Sequence, residues 1–142
     1  MAAQMTLRVI TPDNIVLDTE ASAVTVPASD GSMGILPRHA HMVAALDVGV
    51  LEYMVDGKKE SIFVSGGFLE VRNNTVRVVS EAGERPEHID EDRAQAAEER
   101  ARKRLDEGRA TDASLDVLRA ELALRRARFR LRAKRGYART LV

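Results

Sequence analysis

The sequence predicts an α+β protein: an all-β N-terminal antiparallel sandwich or flattened barrel, followed by a C-terminal α-helical hairpin. Three observations carry this reading. Short apolar-alternating runs fill the first 80 residues, each ended by a turn signal. The composition changes at Gly83-Glu84-Arg85-Pro86. Beyond Pro86 there is no further proline, and Ala, Arg, Leu and Glu dominate. The expected division is therefore a strand domain over 1–85 and a helix-turn-helix domain over 86–142.

The strands follow in order. Thr6 to Ile10 alternates and stops at Thr11-Pro12-Asp13-Asn14. Ile15 to Leu17 is the next run. Ala23 to Val26 ends at Pro27 and the Ser29-Asp30-Gly31 turn. Met33 to Leu36 is closed by Pro37. Val50 to Val55 and Lys58 to Val64 flank Asp56-Gly57, which supplies the positive φ angles of a two-residue hairpin. Gly66-Gly67 separates that run from Phe68 to Val71, and Asn73-Asn74 turns the chain into Thr75 to Val79.

Asp90-Glu91-Asp92 opens the first helix with acids where the helix dipole favours them. Ala94, Ala97, Ala101 and Leu105 form its expected apolar stripe, and Gly108 is expected to end it. Thr111-Asp112 is the expected cap of the second helix. Leu115, Leu118, Leu122 and Phe129 form that helix's expected stripe, with Arg126 a charge where a core residue is due. Glu98 and Glu99 are expected to pair with Arg102 and Lys103 on the helix surface.

The net charge of zero conceals an asymmetry. Residues 1–85 carry 7 basic and 11 acidic groups, and residues 86–142 carry 15 and 11. Residues 119–142 hold 9 basic groups against Glu121 alone, so the tail is expected to meet something negative. Arg93 and Arg100 lie seven apart on one helix, and Arg126 and Arg130 four apart on the other, spacings that share a face. A fold-back around Gly108 sets Arg93 opposite the 126–130 turn. Guanidinium groups gathered in this way repel one another unless an anion sits among them, and arginine is well shaped to grip phosphate oxygens in pairs.

Other chemistry is absent from the pattern. There is no cysteine, hence no disulfide framework or thiolate metal site, and the cytoplasm is permitted. No signal segment and no long apolar run appears. Gly57-Lys58 lacks the surroundings of a P-loop, and no nucleophile–base pair is visible, so no catalytic residue is expected. His39 and His41 lack carboxylate or thiol company and read as surface residues rather than metal ligands. No cofactor is required. A stand-alone anion- or nucleic-acid-binding domain is the rival reading of the basic hairpin. Nucleic acid is disfavoured because Phe129 and Tyr137 alone interleave the basic groups and the first helix is locally acidic.

Several stretches carry a resemblance. Gly34-Ile35-Leu36-Pro37-x-His39, Ser65-Gly66-Gly67-Phe68-Leu69-Glu70-Val71, Glu84-Arg85 with Ile89-Asp90-x-x-Arg93-Ala94, and Arg119-Ala120-Glu121-Leu122-Ala123-Leu124 look like the epsilon subunit of the bacterial F-type ATP synthase. The likeness runs from about residue 5 to 132. It implies a non-catalytic rotor subunit, peripheral on the cytoplasmic face of the plasma membrane. Its sandwich binds the gamma subunit and the membrane ring of c subunits. Its mobile hairpin restrains ATP hydrolysis when it extends into the catalytic alpha/beta head. In some bacilli the folded hairpin binds ATP. The positions matching that site are Glu84, Ile89, Asp90, Arg93, Arg100, Arg126 and Arg130, with ATP as a regulatory ligand. The chain departs from the family at Gly31-Ser32-Met33-Gly34, where Glu is common, and at Arg38-His39-Ala40-His41, where Gly-His-Ala-Pro is common. Both lie in loops that the resemblance places against the ring.

Overall fold

The computed structural model describes residues 2–111 and 114–140, with side chains described for 2–110 and 116–137. The chain divides into two compact units, Met1–Pro86 and Glu87–Val142.

The first unit is one eight-stranded sheet folded into a sandwich. Its strands are β1 (Met5–Ile10), β2 (Ile15–Ala21), β3 (Ala23–Ala28), β4 (Gly31–Ile35), β5 (Met42–Val55), β6 (Lys58–Arg72), β7 (Thr75–Val79) and β8 (Gly83–Glu84). The order is β2-β1-β7-β6-β5-β3-β4, with β8 beside β6. The sheet is antiparallel except that β1 runs parallel to β7. Alternation places Met5, Leu7 and Val9 of β1 inward, against Val24, Ile35, Leu51, Ile62 and Leu69 of other strands.

Two expectations about strand length are corrected. The run from Lys58 does not stop at Val64; β6 continues through Gly66-Gly67 for 15 residues. The strand expected from Val50 begins at Met42 and spans 14. These two long strands serve both halves of the sandwich. The first part of β5 pairs with the last part of β6, from Met42↔Val71 to Leu46↔Gly67, and the last part of β6 continues to β7. The later part of β5 pairs with β3 on its other side. Gly66 and Gly67 (φ 75° and 99°) sit where β6 changes partners, so glycine here bends a strand rather than ending it. A Cβ on Gly67 would lie 1.9 Å from the Val79 carbonyl oxygen.

The expected turns are present. Asp56-Gly57 (φ 51° and 76°) and Asn73-Asn74 (φ 50° and 59°) have positive φ at both central residues, the two-residue form that matches strand twist. Arg38 is also left-handed (φ 65°), and its N–H donates to Asn74 Oδ1 at 2.8 Å.

The second unit follows a short 3₁₀ turn, Pro86–His88. It contains α1 (Glu91–Thr111) and α2 (Ser114–Thr140). Asp90 caps α1: its Oδ1 accepts from Arg93 N–H at 3.0 Å, and its carbonyl from Ala94 N–H at 3.0 Å. Gly108 does not end α1. The helix continues one turn further, and Gly108 faces α2, where an added Cβ would meet Val117 Cγ2 at 3.0 Å. The close approach of the two helices, not a terminus, is what calls for glycine there. The cap expected from Thr111-Asp112 and the side chain of Leu115 fall outside the described residues.

The α1 stripe is as expected: Ala94, Ala101 and Leu105 are buried, and Ala97 is half-buried. The α2 stripe is not. Leu118 and Leu122 are 53% and 38% exposed, and Phe129 is half-buried. The buried positions among the described residues are Ala120, Leu124, Ala127, Leu131 and Ala133, with Val117 partly buried against Ala120 and Leu124. Alanines on both helices let the backbones come close, and Leu105 and Leu124 fill the space beside them.

Candidate functional site: the arginine face of the hairpin

Three ion pairs set the register of α1 against α2. Glu91 Oε1 accepts from Arg135 Nε at 3.0 Å, Glu98 Oε2 lies 3.6 Å from Arg128 Nε, and Arg109 lies 3.9 Å from Glu121. The crossing therefore falls beyond Gly108, and the expected pairing shifts. The α1 turn at Glu91 meets Arg135 and the turn at Glu98 meets Arg128, further along α2 than a fold-back around Gly108 predicts. Glu98 also meets Arg102 at 3.7 Å, as the i,i+4 spacing predicts.

Arg93 and Arg100 are exposed, and Arg126 and Arg130 are half-buried. Among the described residues, Glu91, Glu98 and Glu121 pair with Arg135, with Arg102 and Arg128, and with Arg109; none of these is Arg93, Arg100 or Arg126. These three glutamates thus pair with arginines other than Arg93, Arg100 and Arg126.

The remaining expected site residues sit as follows. Asp90 is exposed, with one carboxylate oxygen engaged in the helix cap. Ile89 is buried at 3% exposure. Glu84 belongs to the first unit, in β8, paired with Phe63 of β6. Helical spacing puts Arg93 and Arg100 on one side of α1, and Arg126 and Arg130 on one side of α2.

Two further arginines belong to these sides. A groove of about 650 Å³ between α1 and α2 is lined by Arg100, Arg104 and Arg119, with Glu107 and Asp116 also at its wall. Arg104 lies one turn after Arg100, and Arg119 two turns before Arg126, so helical spacing alone places them on the same side. That signal was legible in the sequence.

The histidines sit in the loop after β4. His39 Nδ1 lies 2.8 Å from the Ala40 carbonyl oxygen, and His41 Nε2 accepts from Asn73 N–H at 3.3 Å. Among the described residues no cluster of metal-ligating side chains occurs. No described helix is long and apolar enough to cross a membrane. A second surface lies on the first unit, where Val43 and Phe68 are 69% and 49% exposed. Val43 pairs with Glu70 and Ala45 with Phe68, so the two apolar side chains are diagonal neighbours on one sheet face.

A strand sandwich in one unit and a charged helical hairpin in the other define a two-part chain. Residues 4–86 match the beta-sandwich domain, and residues 87–135 the long alpha-helix domain, of the ATP synthase delta/epsilon chain. The chain belongs to this family. It is 47% identical to the ATP synthase epsilon chain of Desulfitobacterium hafniense, covering 96% of this chain and all of that one. It is 52% identical to the epsilon chain of Symbiobacterium thermophilum, over 92% of this chain and 93% of that one. Among solved structures it resembles a chain of the Euglena gracilis mitochondrial ATP synthase OSCP/F1/c-ring assembly. The TM-score is 0.76 at 27% identity, over 90% of this chain and 79% of that one.

Proposed function

We propose that this epsilon subunit of the F-type ATP synthase central stalk is a non-catalytic coupling element with a nucleotide-sensing hairpin, peripheral on the cytoplasmic face of the bacterial plasma membrane. The strand unit docks on gamma and on the c-subunit ring. Its exposed Val43–Phe68 face supports the docking, since an apolar patch on a soluble domain marks an interaction surface. The hairpin, when extended, restrains hydrolysis at the alpha/beta head; when folded, it binds ATP.

The observation behind the ATP reading is the helical spacing that puts Arg93 and Arg100 on one side of α1 and Arg126 and Arg130 on one side of α2. In this reading Arg93, Arg126 and Arg130 hold phosphates with Arg100 beside them. Asp90 and Ile89 belong to the adenosine end. Charge-assisted hydrogen bonds contribute about 1.5–3 kcal/mol each. Arg126→Ala is therefore expected to weaken ATP by roughly tenfold to a hundredfold in calorimetry on the isolated protein. Undiminished binding in both Arg126→Ala and Arg93→Ala would remove ATP from this face. Co-purification with gamma separates the rotor role from that of a stand-alone anion-binding domain.

A further inference from the structure

We infer that the groove near the helix turn is a second anion site, built by Arg100, Arg104 and Arg119 for a chain of phosphoryl groups. This inference shares Arg100 with the ATP reading above and adds Arg104 and Arg119, which that reading does not use.

The groove is lined from both helices: Arg100 and Arg104 come from α1 and Arg119 from α2. Ala101 and Ala120, both buried, form part of its floor, so no bulky side chain fills the space between the cations. All three arginines are exposed. Among the described residues, Glu91, Glu98 and Glu121 pair with Arg102, Arg109, Arg128 and Arg135 rather than with these three. Three guanidinium groups around one concavity raise its potential and attract an anion.

The lining also selects the anion. A carboxylate has two oxygens and satisfies one guanidinium fork. Three forks spread over two helices need several oxygens on one ligand, which a di- or triphosphate chain supplies. Glu107 and Asp116 place negative charge at the groove wall near the turn, so the ligand lies toward Arg100. The site is distinct from one at the start of α1. Arg104 is eleven residues beyond Arg93, about 16 Å of helix. Two chemical sources share this chain of phosphoryl groups: free inorganic polyphosphate and the phosphate tail of a nucleotide.

The test is calorimetry on the full chain with sodium tripolyphosphate, and separately with ATP. The doubly substituted Arg104→Ala/Arg119→Ala protein is compared with Arg126→Ala. Both replaced side chains are exposed and alanine favours helix, so helicity by circular dichroism should be kept. An Arg104→Gln/Arg119→Gln version removes the charge while keeping a polar side chain. We expect tripolyphosphate to bind the native chain, and both double variants to weaken it at least about tenfold. Arg126 does not line the groove, so Arg126→Ala should weaken tripolyphosphate less than either double variant does. A loss confined to ATP assigns the groove to nucleotide phosphates, and a loss confined to tripolyphosphate assigns it to free polyphosphate. If neither ligand is weakened by the double variants, the groove is not a phosphate site. Failure of Arg126→Ala to affect ATP would instead count against the nucleotide site and leave this result intact.

Discussion

Glu91 and Arg135, 44 residues apart in the sequence, meet at 3.0 Å and join the start of α1 to the far part of α2. The pair also places a carboxylate in the first turn of α1, where the helix dipole favours it. Both side chains are about half exposed, so the contact sets register more than it adds stability. A double-mutant cycle of Glu91→Ala and Arg135→Ala, read by thermal unfolding of the helices, should give a coupling of about 0.2–1 kcal/mol that shrinks with salt. A coupling above about 2 kcal/mol would show that the pair does more than surface pairs do.

The strand unit should be far less tolerant at Gly67. Its φ of 99° and the 1.9 Å approach of the Val79 carbonyl leave no room for a Cβ. Gly67→Ala is expected to destabilise the first unit by about 3–5 kcal/mol, from backbone strain together with overpacking. Denaturant unfolding measures this. The same variant should bind gamma poorly, since the bend at Gly66-Gly67 leads directly into Phe68. A loss under about 1 kcal/mol would mean that β6 can bend without this glycine.

Hydrolysis by the assembled complex tests the regulatory role of the hairpin. Folded, the hairpin gathers arginines on one side, and a polyanion relieves that repulsion. A ligand shifts a two-state element only by its difference in affinity for the two states. ATP held by the folded form should therefore relieve inhibition, and by reciprocity a hairpin locked open should lose ATP. Deleting residues 86–142 is expected to raise hydrolysis most at low ATP. Equal rates with intact and truncated subunit at every ATP concentration would leave the hairpin with no inhibitory role.

The legible parts of this protein were those governed by neighbours in sequence. The Asp56-Gly57 and Asn73-Asn74 turns, the Asp90 cap and the Glu98–Arg102 pair all follow from residues within four positions of one another. So did the inward face of β1, because a period of two leaves one choice once the apolar side is known. At Gly66-Gly67 the local rule misled: glycine there looks like a strand end, but β6 passes through it to serve both halves of the sheet. A distant carbonyl, that of Val79, is what requires the missing Cβ.

The arginine spacings on each helix were likewise written in the chain, while the register of one helix against the other was not. Helical periodicity says which side chains share a face, but it does not say how far along one helix the other lies. The ion pairs Glu91–Arg135, Glu98–Arg128 and Arg109–Glu121 decide that, across separations no local pattern spans. The same limit explains α2, which has two apolar faces. Leu118 and Leu122 lie on one; Ala120, Leu124, Ala127 and Leu131 lie on the other. Sequence alone determined that α2 is a helix with a basic side. Packing against α1 decided which face it buries: Ala120 and Leu124 join Ala101 and Leu105 in one cluster, with alanines letting the backbones approach and leucines filling the space between them.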